Sequence, residues 1–222
     1  MDEDKFYVFS GGKVEFRKAQ DLTLLAFKRF REERRNSVLV TAWHSPWPER
    51  SVGFKGRLAN ALALGENGRL DIGRWAHENG LDPQSVIDVG FVPNAVMPAI
   101  LREMDVVLQP SRAEACTNLP VKEAMACGIP VIAAANTGMK DLLTDENCIV
   151  LKRQASIVGT NPSATEGWGE SDVDEIVAAL AFAYEHREAA RQIGQQSRAW
   201  LIEHGRTWQS HAQELKAWIL SQ

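Results

Sequence analysis

The sequence lacks the features of exported and membrane-embedded proteins. Only three of its 222 residues are cysteines, Cys116, Cys127 and Cys148, and none of them forms a close pair of the kind found in zinc sites. The first residues, MDEDKF, are acidic where a signal peptide is basic, and no apolar run approaches the roughly 18 residues of a membrane-spanning helix. We therefore expect a soluble, cytoplasmic protein with free thiols and no transmembrane segment.

An excess of positive charge is missing as well. The chain has 25 Lys and Arg residues against 29 Asp and Glu residues, and its formal net charge at pH 7 is −4. This balance creates no broad attraction to a nucleic-acid backbone or to anionic lipid, so we expect no nucleic-acid partner. The five histidines show neither an H-E-x-x-H motif nor another metal-ligand spacing, so we expect no metal site.

Hydrophobic residues make up 45% of the chain, enough to bury one substantial core, and we expect a single domain over residues 1–222. Short β-prone segments alternate with helical ones along the sequence. This alternation predicts an α/β fold, a doubly wound Rossmann-like parallel sheet with helices on both faces. The predicted strands are 6–10, 37–42, 86–92, 105–110, 130–135 and 148–152.

Glycines and capping residues mark the predicted helix ends. Glycines at helix C-termini are predicted at Gly80, Gly128 and Gly205, and N-caps at Asn94 and Thr207. Residues 153–171 are rich in Gly, Ser and Thr and are predicted to be a loop insertion, and residues 172–222 are predicted to form C-terminal helices.

The first candidate site follows the first predicted strand, in the segment SGGKVEFRKAQDL. Gly11 and Gly12 let the backbone approach a ligand, and Lys13, Arg17 and Lys18 supply charge suited to a phosphate. The spacings of a P-loop and of G-x-G-x-x-G are both absent, which argues against a P-loop nucleotide site and a dinucleotide oxidoreductase. Two interpretations stay open here, a phosphate site and a glycine turn followed by a solvated basic helix start.

The second candidate segment, PSRAEACTNLPVKEAMACGIPVI, follows the fourth predicted strand. Asn118 is predicted to cap a helix with Pro120 in its first turn, so the amides around Leu119 would form an anion site at the positive end of the helix dipole. Glu114 and Glu123 would repel a diphosphate, and they fit better as acceptors for sugar and ribose hydroxyls on either side of it. The alternative is that both are ordinary exposed acids.

Two further motifs have weaker claims. Asp172 and Asp174 form a D-x-D pair that could hold a metal ion, but Glu175 follows closely at a predicted helix start, which favours helix capping. The segment WHSPWP at 43–48 has no assigned role, and loop packing is the usual state of tryptophans beside prolines.

Three segments carry a resemblance to one family. SGGKVEFRKAQDLTLLAFKRF resembles the first strand, loop and helix of the C-terminal domain of GT-B glycosyltransferases of the group 1 family. The stretch from GFVPNAVMPAI through EAMACGIPVIAAANTGMKDLL resembles the family signature, and HGRTWQSHAQELKAWIL resembles its closing helix. The resemblance runs from Phe6 to the end and is weakest at 43–75 and 153–171. It implies one half of a GT-B fold, the donor-binding half, without the N-terminal acceptor-binding domain.

The resemblance also implies roles for individual residues. Lys13 and Lys18 match the pair that contacts the donor diphosphate, Glu114 the residue at the donor sugar, and Glu123 the residue at the ribose. The implied donor-binding set is Gly11, Gly12, Lys13, Lys18, Glu114, Thr117, Asn118, Leu119 and Glu123, with Lys18 and Glu114 as the catalytic residues. The sequence departs from the family pattern in one respect, because EACTNLP replaces the usual EGFGLP and separates the two glutamates by one residue more.

The activity implied is transfer of a sugar from a nucleoside diphosphate sugar to an acceptor, with retained anomeric configuration and no required cofactor. No general base is evident, and in such enzymes the leaving phosphate is thought to assist the acceptor. Two alternatives remain, a nucleotide-sugar epimerase of the same fold, against which TNLPVKEAMACG argues, and a non-catalytic nucleotide-sugar-binding module. We expect the isolated chain to bind its donor but to be inactive.

Overall fold

The computed structural model describes residue 2, residues 4–157 and residues 165–221, which form eight strands and seven α-helices. The strands are β1 (Phe6–Lys13), β2 (Ser37–His44), β3 (Val86–Asp88), β4 (Val106–Gln109), β5 (Val131–Ala134), β6 (Ile149–Leu151), β7 (Gln154–Ser156) and β8 (Gly169–Ser171). The helices are α1 (Gln20–Glu33), α2 (Ile72–Glu78), α3 (Met97–Leu101), α4 (Leu119–Ala126), α5 (Val173–Glu185), α6 (Arg187–Glu203) and α7 (Trp208–Leu220).

The first six strands form one parallel sheet in the order β3-β2-β1-β4-β5-β6. Each of the six predicted strands is present, and the predicted doubly wound fold is confirmed. The chain builds the sheet outward from β1 in one direction and then from β4 in the other, so the topological switch point lies between these two strands. In open α/β sheets this crevice, beyond the carboxyl ends of the strands, is where ligands bind.

Both faces of the sheet are covered, which explains why its central strands are apolar on successive residues. Phe6 and Val8 of β1 point into a core closed by α1, α2 and α5. Their neighbours Tyr7 and Phe9 point into a second core closed by α3, α4 and α6. The strands β1 and β4 are therefore packed between two close-packed cores, which fixes the position of their carboxyl ends.

Most predicted helix ends are confirmed. Gly80, Gly128 and Gly205 all adopt positive φ, and the Thr207 side chain accepts a hydrogen bond from Ser210 N at 3.1 Å. The prediction that Asn94 caps a helix is wrong, because α3 begins only at Met97. The Pro93 carbonyl accepts hydrogen bonds from two later amides, so the chain first makes a turn and the helix starts beyond it.

The segment predicted as a loop insertion at 153–171 contains a small antiparallel ribbon. Its ends pair as β7 and β8, with Gln154 opposite Ser171, and residues 158–164 lie outside the described part of the chain. Up to residue 221 the rest of the chain is helical, as predicted. No helix in the described residues is long and apolar enough to cross a bilayer.

Candidate functional site

The two candidate segments meet at the switch point between β1 and β4. A Cβ added at Gly11 would lie 2.9 Å from Phe9 Cε1 and 3.7 Å from Pro120 Cβ, at the start of α4. Gly12 has a φ of 118°, a conformation that residues with a side chain rarely adopt, and it also faces Pro120. The glycine pair thus lets the end of β1 pass close to the N-terminus of α4.

The Glu114 carboxylate gathers three donors from different parts of the chain. Lys18 Nζ lies 2.8 Å from each of its oxygens, Arg17 Nη1 lies 2.8 Å from Oε2, and Asn118 Nδ2 lies 2.8 Å from Oε1. The Lys18 and Glu114 side chains are only 10% and 5% exposed. Charged hydrogen bonds that are shielded from water are the stronger kind, so this cluster is a well-defined feature of the crevice.

Asn118 connects this cluster to α4. Its side-chain oxygen accepts a hydrogen bond from Val121 N at 3.3 Å, which confirms the predicted N-cap, while its amide nitrogen donates to Glu114. Leu119, the first residue of the helix, is 56% exposed. The positive end of the α4 dipole therefore lies at the crevice, beside the Lys18 ammonium.

The loop that follows β5 holds the backbone of Glu114 in place. Glu114 N donates to Thr137 Oγ1 at 2.8 Å, and Gly138 N donates to Glu114 O at 3.1 Å. A Cβ on Gly138 would lie 2.5 Å from Cys116 O, so the two loops are in close contact. Sequence reasoning missed this brace, although the position of Asn136–Gly138 after a strand at the same edge could have indicated it.

Lys13, the last residue of β1, has Glu15 as its acidic partner. Its ammonium pairs with the Glu15 carboxylate and stands 5.2 Å above the centre of the exposed Trp47 ring. Glu15 also accepts from Arg17 Nε at 2.7 Å. The charges form one alternating chain, Lys13, Glu15, Arg17, Glu114 and Lys18, with one more cation than anion.

Burial shifts the pKa of two of the predicted site residues. It lowers the pKa of the Lys18 ammonium, and the Glu114 carboxylate opposes part of that shift. It raises the pKa of Glu123, which is half-buried in the second turn of α4. Thr117 is half-buried in the loop between Glu114 and Asn118. The predicted site residues thus belong to the end of β1, the turn after it, the loop between β4 and α4, and the first two turns of α4.

The WHSPWP segment divides between core and crevice edge. Trp43 is a buried core residue whose Nε1 donates to Ser10 Oγ at 3.3 Å, whereas Trp47 is exposed. The His44 ring packs edge to face on Phe91, with centroids 5.3 Å apart. Close by, burial raises the pKa of Asp88, and its carboxylate accepts from Thr41 Oγ1 at 2.7 Å.

The D-x-D pair has a structural role, as predicted. Asp172 caps α5 by accepting from Glu175 N at 2.9 Å, and Asp174 pairs with Arg29 at 2.6 Å. Among the described residues, no group of three His, Cys, Asp or Glu side chains is arranged to hold a metal ion.

The chain matches the family described as glycosyl transferase-like over residues 27–217. No curated protein sequence gives a match. Similar solved structures include the C-terminal domain of a glycosyl transferase group 1 family protein from Francisella tularensis, which is 18% identical with a TM-score of 0.65; the alignment covers 89% of this chain and 85% of that one.

Two longer proteins contain a similar domain. Sucrose-phosphate synthase from Thermosynechococcus elongatus is 20% identical with a TM-score of 0.73, and the alignment covers 100% of this chain and 46% of that one. HepE from Anabaena, solved in complex with UDP, is 17% identical with a TM-score of 0.64, over 88% of this chain and 43% of that one. This chain thus spans less than half the length of these two proteins. It belongs to the glycosyl transferase-like family and has the fold of the C-terminal half of a GT-B glycosyltransferase.

Proposed function

We propose that this member of the glycosyl transferase-like family binds a nucleoside diphosphate sugar in the crevice between β1 and β4. The observation that carries the proposal is the convergence of Lys18, Arg17 and the Asn118-capped start of α4 at the switch point of the sheet. Joined to an acceptor-binding domain, the site would serve transfer of the sugar with retained configuration. The solved complex of HepE with UDP supports a nucleotide ligand for this fold.

The diphosphate is assigned to the Lys18 side of the crevice. Lys18 and Arg17 supply positive charge, the Leu119 amide lies at the positive end of α4, and Gly11 and Gly12 let β1 end close to that helix terminus. Charge builds up on the diphosphate as the sugar departs. Groups already aimed at that charge stabilise the transition state more than the ground state, which is what accelerates the reaction.

The two glutamates are assigned to hydroxyl groups, Glu114 at the donor sugar and Glu123 at the ribose. Both oxygens of Glu114 are engaged within the chain, since each accepts from two groups. A carboxylate has about four lone-pair sites, so its capacity is filled. We therefore propose that donor binding draws Lys18 toward the diphosphate and frees a site on Glu114 for a sugar hydroxyl.

We assign turnover to a protein that contains both this domain and an acceptor-binding domain, and not to this chain alone. The comparable glycosyltransferase structures are more than twice as long as the part that this chain matches. Catalysis requires the donor and the acceptor to be held in one geometry, which is worth about 7–11 kcal/mol of barrier lowering. The isolated chain is expected to bind the nucleoside diphosphate without turning over its sugar ester.

Calorimetric titration with UDP, GDP, ADP and the matching nucleosides tests the proposal. One diphosphate should bind more tightly than its nucleoside. Glu123→Ala should weaken both, because both contain the ribose, whereas Lys216→Ala on the exposed surface of α7 should change neither. The site is wrong if no nucleotide binds even at millimolar concentration. A longer protein that binds the donor sugar but never transfers it would instead be a binding module.

A further inference from the structure

Arg112, in the loop that follows β4, is completely buried. Its Nη1 and Nη2 donate to the two oxygens of Asp21 at 2.8 and 2.6 Å, and its Nε donates to Glu170 at 2.8 Å. The guanidinium also stands 4.2 Å above the centre of the Phe16 ring. The arginine therefore joins the start of α1, the loop after β4 and the β7-β8 ribbon at one point.

The same residue holds the turn that carries the crevice cations. Arg112 Nη1 donates to Phe16 O at 2.8 Å, and the backbone amides of Arg112 and Ala113 donate to Arg17 O at 2.7 and 3.2 Å. Two successive carbonyls of the turn are thus bound to one short stretch of chain. Glu114, which accepts hydrogen bonds from Lys18 and Arg17, is the residue directly after Ala113.

The turn needs such support because its backbone is unfavourable. Ala19, which links it to α1, has a φ of 59°, in the left-handed region that residues other than glycine seldom occupy. The Asp21 carboxylate is also fixed from the other side, since Arg57 N donates to it at 2.9 Å and a Cβ on Gly56 would overlap it. A buried ion pair is costly to desolvate and adds little net stability, so stability alone does not account for it.

We infer that Arg112 is a positioning residue for the diphosphate-binding site: by holding the Phe16–Lys18 turn and Asp21, it sets where Lys18 and Arg17 stand relative to Glu114 and the start of α4. The inference rests on the proposed function. Arg112 is 0% exposed and does not touch the ligand, but the positions of the two cations depend on it. A displacement of about 1 Å in such a group can cost on the order of a hundred-fold in function.

The variant for testing this is the pair Arg112→Met with Asp21→Asn, which removes both buried charges together. Removing one alone would leave the other charge unpaired in the interior and destabilise the chain for an unrelated reason. Glu170 keeps its partner in the double variant, because Arg57 Nε donates to it at 2.8 Å. The matched control is Arg34→Met, since Arg34 is another shielded arginine with acidic and aromatic contacts, at the opposite end of α1.

Affinities of the diphosphate and its nucleoside are measured for wild type, the double variant and the control, each with and without Lys18→Ala. We expect the double variant to weaken the diphosphate by about ten-fold or more while changing the nucleoside by less than about two-fold. When Lys18 is already alanine, the double variant should cost less additional diphosphate affinity, because the group that Arg112 positions is gone. Equal losses for both ligands, or an unchanged diphosphate affinity, would overturn the inference.

A ligand-free measurement separates this inference from the proposed function. The Lys18 ammonium is titrated by NMR in wild type and in the double variant. In wild type its pKa should lie below the ordinary value because it is buried, and in the double variant the pKa should move back toward that value as the turn is released. If wild type binds no nucleotide, the proposed function fails. If the Lys18 titration is identical in both proteins, the positioning role fails whatever the nucleotide result.

Discussion

Replacement of Lys18 by alanine probes the proposed site most directly. Its ammonium contacts both oxygens of Glu114 at 2.8 Å and is 10% exposed, so it is held close to the expected diphosphate position in a partly dehydrated setting. A charged hydrogen bond of this kind contributes about 1.5–3 kcal/mol, which corresponds to roughly 10- to 150-fold in affinity. We expect Lys18→Ala to weaken the diphosphate by that factor and the bare nucleoside much less.

The pH dependence of binding gives an independent check on the same residue. Because burial lowers the pKa of Lys18, its charge is lost at a lower pH than that of an ordinary lysine. Diphosphate affinity should therefore fall as the pH rises through that lowered pKa, and Lys18→Ala should abolish this fall. The stability of the fold should change in the opposite direction. At pH values between the folded and the unfolded pKa of Lys18, the unfolded chain binds more protons, so the free energy of unfolding rises with pH.

Calorimetry at several pH values, with melting curves at the same pH values, measures both effects. Lys18→Met is the companion variant, because it removes the charge while keeping most of the side-chain volume. Both substitutions should leave the melting transition cooperative, since Glu114 retains Arg17 and Asn118 as partners. An unchanged diphosphate affinity in both variants would refute the assignment, and equal losses for diphosphate and nucleoside would place Lys18 in general support of the fold.

Three further changes have expected outcomes. Glu15→Gln should tighten diphosphate binding in a titration by freeing Lys13 and Arg17, and weaker binding would show that Glu15 holds them in a useful position. Gly12→Ala should lower the free energy of unfolding by about 1–3 kcal/mol because of its φ of 118°, and a denaturant curve that matches wild type would contradict this. Trp218→Ser should leave the melting temperature of this chain unchanged, because the residue is 61% exposed. It should weaken association with an acceptor-binding domain in a pull-down. A lowered melting temperature would argue against a docking role.

The last of these concerns α7, whose sequence resembles the closing helix of the family. None of its residues is buried, and Trp208 is 82% exposed. A row of apolar residues on one helix face normally needs a partner. We therefore predict that this face docks on an acceptor-binding domain.

Local patterns in the sequence were enough to predict most of the fold. Strand segments are short runs of apolar residues between turns, and helix caps such as Asn118, Thr207 and Asp172 satisfy backbone groups only a few residues away. Asn94 is the exception among the caps, because a competing turn closed by Pro93 delays the helix. The candidate residues at both strand ends were also predictable, since parallel strands bring their carboxyl ends to one edge.

Only the tertiary structure decided how those residues are paired. Lys18 and Arg17 meet Glu114 across 96 and 97 positions of sequence, and Arg112 meets Asp21 across 91. No local rule selects these partners, because each charged side chain has many possible counterions and only the packed fold brings one of them within hydrogen-bond distance and excludes water. Arg112 reads in the sequence as an ordinary loop arginine, and its burial is a property of the three elements that close around it.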